Sequence, residues 1–178
     1  SNFWDRWTSF VEKMEDARSA VAISVVGGGA GSVELALAMA FRLQKKQANI
    51  DLWCGAQEVL AGYNSRARQH VVRALEKQGV GVHYNSRVNE VTAHTLHFQD
   101  GGTHNFDEVF WCTGAAAAPW VAQSGLTVDN AGFLAVNDSL QSVDDYRVFA
   151  AGDIAAQTKY PRPKAGVYAV RQAPALAA

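Results

Sequence analysis

The chain has 178 residues, is 48% hydrophobic and carries a formal net charge of −1. That supports a real core, in one large domain or one domain plus a piece, and gives no electrostatic case for nucleic acid or an anionic membrane surface. No apolar run approaches the roughly 18–20 residues of a membrane-spanning helix, and the N-terminus lacks a leader pattern, so a cytoplasmic location is expected.

In chain order, Phe3, Trp7, Phe10, Val11, Met14 and Ala17 recur at steps of three and four, which predicts an amphipathic packing helix over 3–17. A strand is expected at 21–26 and a helix from about Ser32 to Lys46. Between them lies Gly27-Gly28-Gly29-Ala30-Gly31-Ser32, a glycine-rich turn from strand to helix. Such a turn presents backbone N–H groups to a pyrophosphate at the positive end of the helix. Gly27 can make the tight turn, and Gly29 lets the backbone approach phosphates because no Cβ intervenes. Ser32 stands at the third fingerprint position, where it packs closely and can offer a hydroxyl. Glu34 is placed in the first helical turn, where an acid favours the dipole.

A second strand is expected at Ile50–Cys54, a helix from about Ser65 to Gln78 stopped at Gly79, and a short strand at 80–84. Three short runs follow, 87–91, 95–99 and 104–106, the last two joined by the turn Asp100-Gly101-Gly102, which reads as an antiparallel meander. Asp107–Cys112 returns as a buried strand ending at Thr113-Gly114. The alanine patch 115–119 marks a boundary. Beyond it, strand-like pieces are expected at Phe133–Val136 and Arg147–Ala150, then a turn-rich Tyr160-Pro-Arg-Pro stretch and the segment Ala165–Val170, with a further helix starting near the Ala-Pro-Ala-Leu end.

Cys54 and Cys112 are far apart and form no Cys-x-x-Cys, so no redox-active disulfide is encoded. The five histidines lack a metal-binding spacing, and no metal site is expected. At the end of the second strand, where an acid would accept from a ribose 2′-hydroxyl, stands Cys54, followed by Gly55-Ala56-Gln57 and then Glu58. Arg66 and Arg68 could instead meet a 2′-phosphate, since guanidinium matches phosphate geometry. The choice between NADH and NADPH stays open, with a slight lean to NADH.

Three stretches carry a family resemblance: Val25 to Glu34, Val109-Phe-Trp-Cys-Thr-Gly-Ala115, and Val148-Phe-Ala-Ala-Gly152-Asp153-Ile154. Together they resemble the pyridine nucleotide-disulfide oxidoreductase superfamily, in particular its NADH dehydrogenase-like flavoproteins without a redox disulfide. Pro161 to Gln172 and Trp111 to Trp120 resemble the branch in which the flavoprotein module is fused ahead of a selenide, water dikinase. The resemblance implies an α/β, Rossmann-like ββα three-layer NAD(P)-binding domain with an antiparallel meander, plus an incomplete piece of a FAD-binding domain. The implied division is a linker helix at 1–17, the NAD(P)H domain at 18–116 and a returning FAD half at 117–178. It implies that Glu34 lies near the nicotinamide carboxamide, that Gly114 lies beneath the nucleotide, and that Gly152 and Asp153 meet FAD. Lys164 falls in a segment that approaches the flavin in relatives.

The family's own first FAD loop is missing, so the chain is expected to be an excised, inactive fragment of a FAD-dependent NAD(P)H oxidoreductase. The parent would pass a hydride from NAD(P)H to flavin and on to a quinone or other small acceptor. The alternative is a non-catalytic nucleotide-binding module of a dikinase fusion protein. Apolar surface on 1–17 and 120–178 predicts association into a homodimer.

Overall fold

A computed structural model describes residues 3–14, 20–44 and 46–177. The chain divides into two units, one up to Thr113 and one from Gly114 onward.

The first unit opens with α1 (Phe3–Lys13), followed by β1 (Val21–Val26), α2 (Ala30–Leu43), β2 (Ala48–Trp53), α3 (Ser65–Lys77) and β3 (Gly81–His83). The meander β4 (Val88–Val91), β5 (Thr95–Phe98) and β6 (Thr103–Asn105) comes next, and β7 (Glu108–Trp111) closes the unit. The main sheet is parallel in the order β3-β2-β1-β7. The central strands β1 and β2 bury side chains on both faces, since successive residues point to opposite sides, whereas β3 is only partly buried and β7, expected as a buried strand, buries Phe110 but leaves Trp111 exposed. Ile23, Val25, Ile50 and Leu52 pack with Val33, Ala36, Met39, Leu43 and Leu75 from α2 and α3. On the meander side, Val26 and Trp53 pack with Leu96 and Phe106. The three layers are therefore meander, sheet and helices.

Most element boundaries follow the expected ones within two residues. α2 begins at Ala30 rather than Ser32, because Gly29 itself adopts the extended N-cap conformation (φ −86°, ψ 179°). Asn64 caps α3 by accepting from Ala67 N–H at 2.9 Å. α1 buries Trp7, with Met14 buried just past its end, and sets Phe3 and Trp7 edge-on to Phe110, at centroid distances of 5.6 and 6.1 Å. The continuation of this helix to Ala17 lies outside the described residues, as does Lys45 in the predicted tail of α2.

The second unit holds α4 (Pro119–Gln123), β8 (Leu134–Val136), a short 3-10 turn at Gly152–Ile154, β9 (Ala155–Gln157) and α5 (Gly166–Ala177). β8 and β9 pair in parallel over a small core of Val121, Leu134, Val136, Leu140, Ala150 and Ala155. Two expectations are corrected here. Arg147–Ala150 is not a regular strand but makes a single bridge, Gln141 to Phe149. The last helix starts at Gly166 and runs through Pro174. A proline there removes the hydrogen bond to the Val170 carbonyl, and Val170 is 74% exposed, so water can take that carbonyl.

Candidate functional site

β1 is flanked by β2 on one side and β7 on the other, so the chain reverses its direction of sheet growth at β1. Ligands of open α/β sheets bind outside the C-terminal strand ends at such a switch point. The glycine turn occupies that place. Gly27 adopts φ +141°, and a Cβ on it would lie 2.5 Å from the Cys112 carbonyl oxygen and 3.3 Å from Ser32 Cβ. No other residue fits there without moving β7. A Cβ on Gly28 would fall on the Cys54 sulfur. Gly29 and Gly31 face open space, with nothing within 4 Å of a Cβ on either. The start of α2 has no side-chain cap, so its first N–H groups, around Ala30 and Gly31, are left for an external acceptor. A crowded inner side and an open, uncapped outer side make a cradle that fits a pyrophosphate.

Ser32 packs closely, as expected. It is fully buried, and its hydroxyl donates to the Gly29 carbonyl at 2.8 Å. The hydroxyl therefore fastens the turn from within rather than facing a ligand. Glu34 is exposed but sits one residue past the first turn of α2, which contains no acid. The dipole argument for it weakens accordingly, since that effect falls off within the first turn. Cys54 is 1% exposed, and its thiol donates to the Glu58 carbonyl at 3.4 Å, beneath Gly28. What Cys54 leaves at the strand end is backbone, not a side-chain acceptor.

Some neighbours of the turn were not anticipated. The loop after β2 returns to it: Leu60 N–H donates to the Gly28 carbonyl at 2.7 Å. Arg68 donates to the Tyr63 carbonyl at 2.7 Å and pairs with Glu58 at 3.1 Å. Below them, Trp53 donates to Ser24 Oγ at 3.1 Å and stacks on His83 at 3.9 Å, while His83 contacts Asp51 at 2.7 Å. Asp51 and Trp53 share a face of β2 by alternation, and His83 is the register partner of Trp53; those two patterns together could have exposed the cluster.

Both cysteines are free thiols, and burial pushes the Cys112 thiol up from its ordinary value. Among the described residues no group of His, Cys, Asp and Glu could hold a metal ion, and no helix is long and apolar enough to cross a membrane. Gly114 is exposed, with open space where a Cβ would be. In the second unit, Gly152 N–H donates to Gln172 Oε1 at 2.6 Å, which ties the turn carrying the exposed Asp153 to α5. Lys164 donates to the Ala155 carbonyl and lies 3.9 Å from the Phe133 ring centroid, so burial pulls its pKa below the ordinary lysine value, with Asp129 and Asp153 opposing.

The profile of the pyridine nucleotide-disulphide oxidoreductases matches residues 6–173. The chain belongs to this family. Among its relatives, a type II NADH:quinone oxidoreductase of Haemophilus influenzae is 30% identical over 159 residues, 83% of this chain and 36% of the relative. The demethylphylloquinone reductase NdbB of a Synechocystis species is 30% identical over 136 residues, 75% of this chain and 33% of the relative. The chain thus spans about a third of the length of these curated relatives. Among solved structures, the reduced CoADR-RHD protein of Bacillus anthracis superposes with a TM-score of 0.74 at 20% identity, covering 97% of this chain and 31% of that one. At that identity the likeness is one of fold, and the fold is that of the pyridine nucleotide-disulphide oxidoreductases.

Proposed function

We propose that the glycine turn, the start of α2 and the loop after β2 form a nicotinamide-dinucleotide site, and that the chain is the NAD(P)H-binding part of a FAD-dependent NAD(P)H oxidoreductase whose acceptor is a quinone. The observation that carries this reading is the uncapped helix start at Gly29, open at Gly29 and Gly31, at the switch point of the sheet. Gly27 and Gly28 shape the turn, and the N–H groups of Gly29, Ala30 and Gly31 hold the pyrophosphate. Ser32 keeps the turn closed, and Glu34 reaches toward the nicotinamide end. The backbone at Cys54 borders the adenosine ribose, and Gly114 supports the nucleotide. Gly152 and Asp153 are the residues for FAD, with the Asp153 carboxylate toward its ribityl chain.

When both cofactors are bound, the chemistry they supply is hydride transfer from nicotinamide to flavin, and the protein's share is binding and orientation. The quinone acceptor is supported by the two relatives, both quinone reductases by name. The dikinase branch rests on sequence resemblance alone. Association of two copies through exposed Phe3 and Trp4 on α1 and Val167, Val170 and Leu176 on α5 belongs to the same reading; a clean monomer by light scattering at high concentration would remove it.

The test is calorimetric titration of the chain with NADH and, separately, with NADPH. Binding of one nucleotide at a single site is expected, and failure of both to bind would overturn the site. In the FAD-loaded full-length parent, bleaching of the flavin colour by the bound nucleotide distinguishes an enzyme from a binding module.

A further inference from the structure

The meander meets the main sheet at a polar junction made by Asp51 of β2, His83 of β3 and His104 of β6. His83 Nε2 lies 2.7 Å from Asp51 Oδ1. His104 Nε2 lies 3.9 Å from Asp51 Oδ2, beyond hydrogen-bond reach, and is buried with no partner. One carboxylate thus faces two imidazoles and holds one. Gly81 is the register partner of Asp51, and a Cβ there would fall on the Asp51 carboxylate, so glycine keeps this space open. Trp53 walls the junction: its ring stacks on His83 at 3.9 Å and lies 4.6 Å from that of His104.

Strand alternation sets these groups apart from the other charges nearby. His104 is the register partner of Leu96, which packs with Val26, Trp53 and Phe106, so it faces the sheet; His97, paired with Glu90, turns outward. Arg87 lies against Gly55, and His94 is exposed at the turn before β5. On the sheet side, β1 presents Ser24 and β7 presents Val109, while Glu108 pairs with Arg6 on the helix face. Among the described residues, the ionisable groups that face one another here are Asp51, His83 and His104.

An ionised carboxylate only accepts, so His83 Nε2 carries the proton at its contact. His104 Nε2 is unsatisfied in either neutral tautomer: as a lone pair it meets no donor, and as an N–H it stops short of Asp51. An imidazolium donates from both nitrogens and opposes the Asp51 charge, and a movement of about 1 Å brings its N–H into a charge-assisted bond. Histidine takes up that charge between about pH 8 and pH 5. We propose that Asp51, His83 and His104 form a proton-operated latch, in which protonation of His104 draws β6 of the meander onto β2 and deprotonation releases it. Oδ1 keeps His83, and Oδ2 takes His104. The Trp53 carbonyl accepts from Gly27 N–H at 2.9 Å, so the latch lies directly beneath the glycine turn. It stands whether or not that turn holds a nucleotide.

The test is amide hydrogen exchange of the chain, followed by NMR at about pH 5.5 and about pH 7.5 and expressed as protection relative to the unstructured rate at each pH. The wild type is expected to protect the β5 and β6 amides about threefold more at the lower pH, the size of a partly exposed ion pair. That gain is expected to shrink as salt is raised. His104→Gln and Asp51→Asn are each expected to show equal protection at the two pH values. The Trp53 indole N–H resonance is expected to follow the His104 titration in the wild type and to lose that step in His104→Gln. The His104 side chain is 30% accessible, so His104→Gln keeps the test open should Asp51→Asn not fold. No gain in the wild type, or a gain that survives in either variant, would overturn the latch, since His70, His94 or His97 would then be responsible for any pH dependence.

Discussion

Gly28→Ala tests how the glycine turn is built. Gly28 is not among the residues with positive φ, so alanine meets no backbone penalty there. The obstacle is the Cys54 sulfur, onto which the new Cβ would fall; the next neighbours, Cys54 Cβ at 3.6 Å and the Glu58 carbonyl oxygen at 4.0 Å, stand at ordinary distances. Neither side can retreat. Cys54 is 1% exposed with its thiol donating to Glu58, and the Gly28 carbonyl holds Leu60 N–H at 2.7 Å. Overpacking of this size costs about 1–3 kcal/mol. Cys54→Ala removes one methylene-sized buried group and leaves a small void, at about 1 kcal/mol. In the double variant the new methyl takes the space of the lost sulfur, so the cost should fall below about 1.5 kcal/mol, less than the roughly 2–4 kcal/mol sum of the single changes. Urea unfolding followed by far-UV circular dichroism, with an unchanged slope, measures all four corners of the cycle. Additivity within about 0.5 kcal/mol would refute the reasoning, because the sulfur would then not be what excludes a side chain at position 28.

Ser32→Ala removes the buried bond to the Gly29 carbonyl at 2.8 Å and should cost about 1 kcal/mol of stability. Because the hydroxyl is turned inward, NADH affinity should change by less than about twofold in calorimetry, and a loss of about tenfold would contradict that orientation. Trp7→Ala deletes a side chain 9% exposed that packs on Phe110 and Phe10 at centroid distances of 6.1 and 6.2 Å. It should cost about 3–5 kcal/mol in urea unfolding, and a change under about 1 kcal/mol would mean that α1 contributes little to the core. Lys164 has a folded pKa below the ordinary lysine value of 10.5. Across the interval between those two values the unfolded chain holds more protons, so stability should rise with pH there. Thermal melts of the wild type and Lys164→Met from neutral pH to about pH 11 should show that rise only in the wild type, and identical profiles would count against it.

The ligand-facing surface of the proposed site is backbone, and backbone exposure is what glycines encode; that is why the turn at 27–31 and the strand before it were legible from residue order alone. β1 spans Val21–Val26 as expected, and the Asp100-Gly101-Gly102 turn closes with Gly102 N–H donating to Asp100 Oδ1 at 2.9 Å. The turn depends on neighbours a few residues away, whereas β1 shows in its own apolar run although its partners β2 and β7 lie far along the chain. The direction of the Ser32 hydroxyl was not legible, because a turn glycine doubles as the helix cap and its carbonyl competes with any external acceptor. Short runs in the second unit misled: Arg147–Ala150 has strand composition but only one bridging partner, and Pro174, which reads as the neighbourhood of a helix start, lies inside a helix that begins at Gly166. The loop contacts that join Leu60 to Gly28 and Glu58 to Arg68 are tertiary, and no local pattern announces them. A glycine fingerprint can therefore point to a dinucleotide while leaving its 2′ substituent undecided.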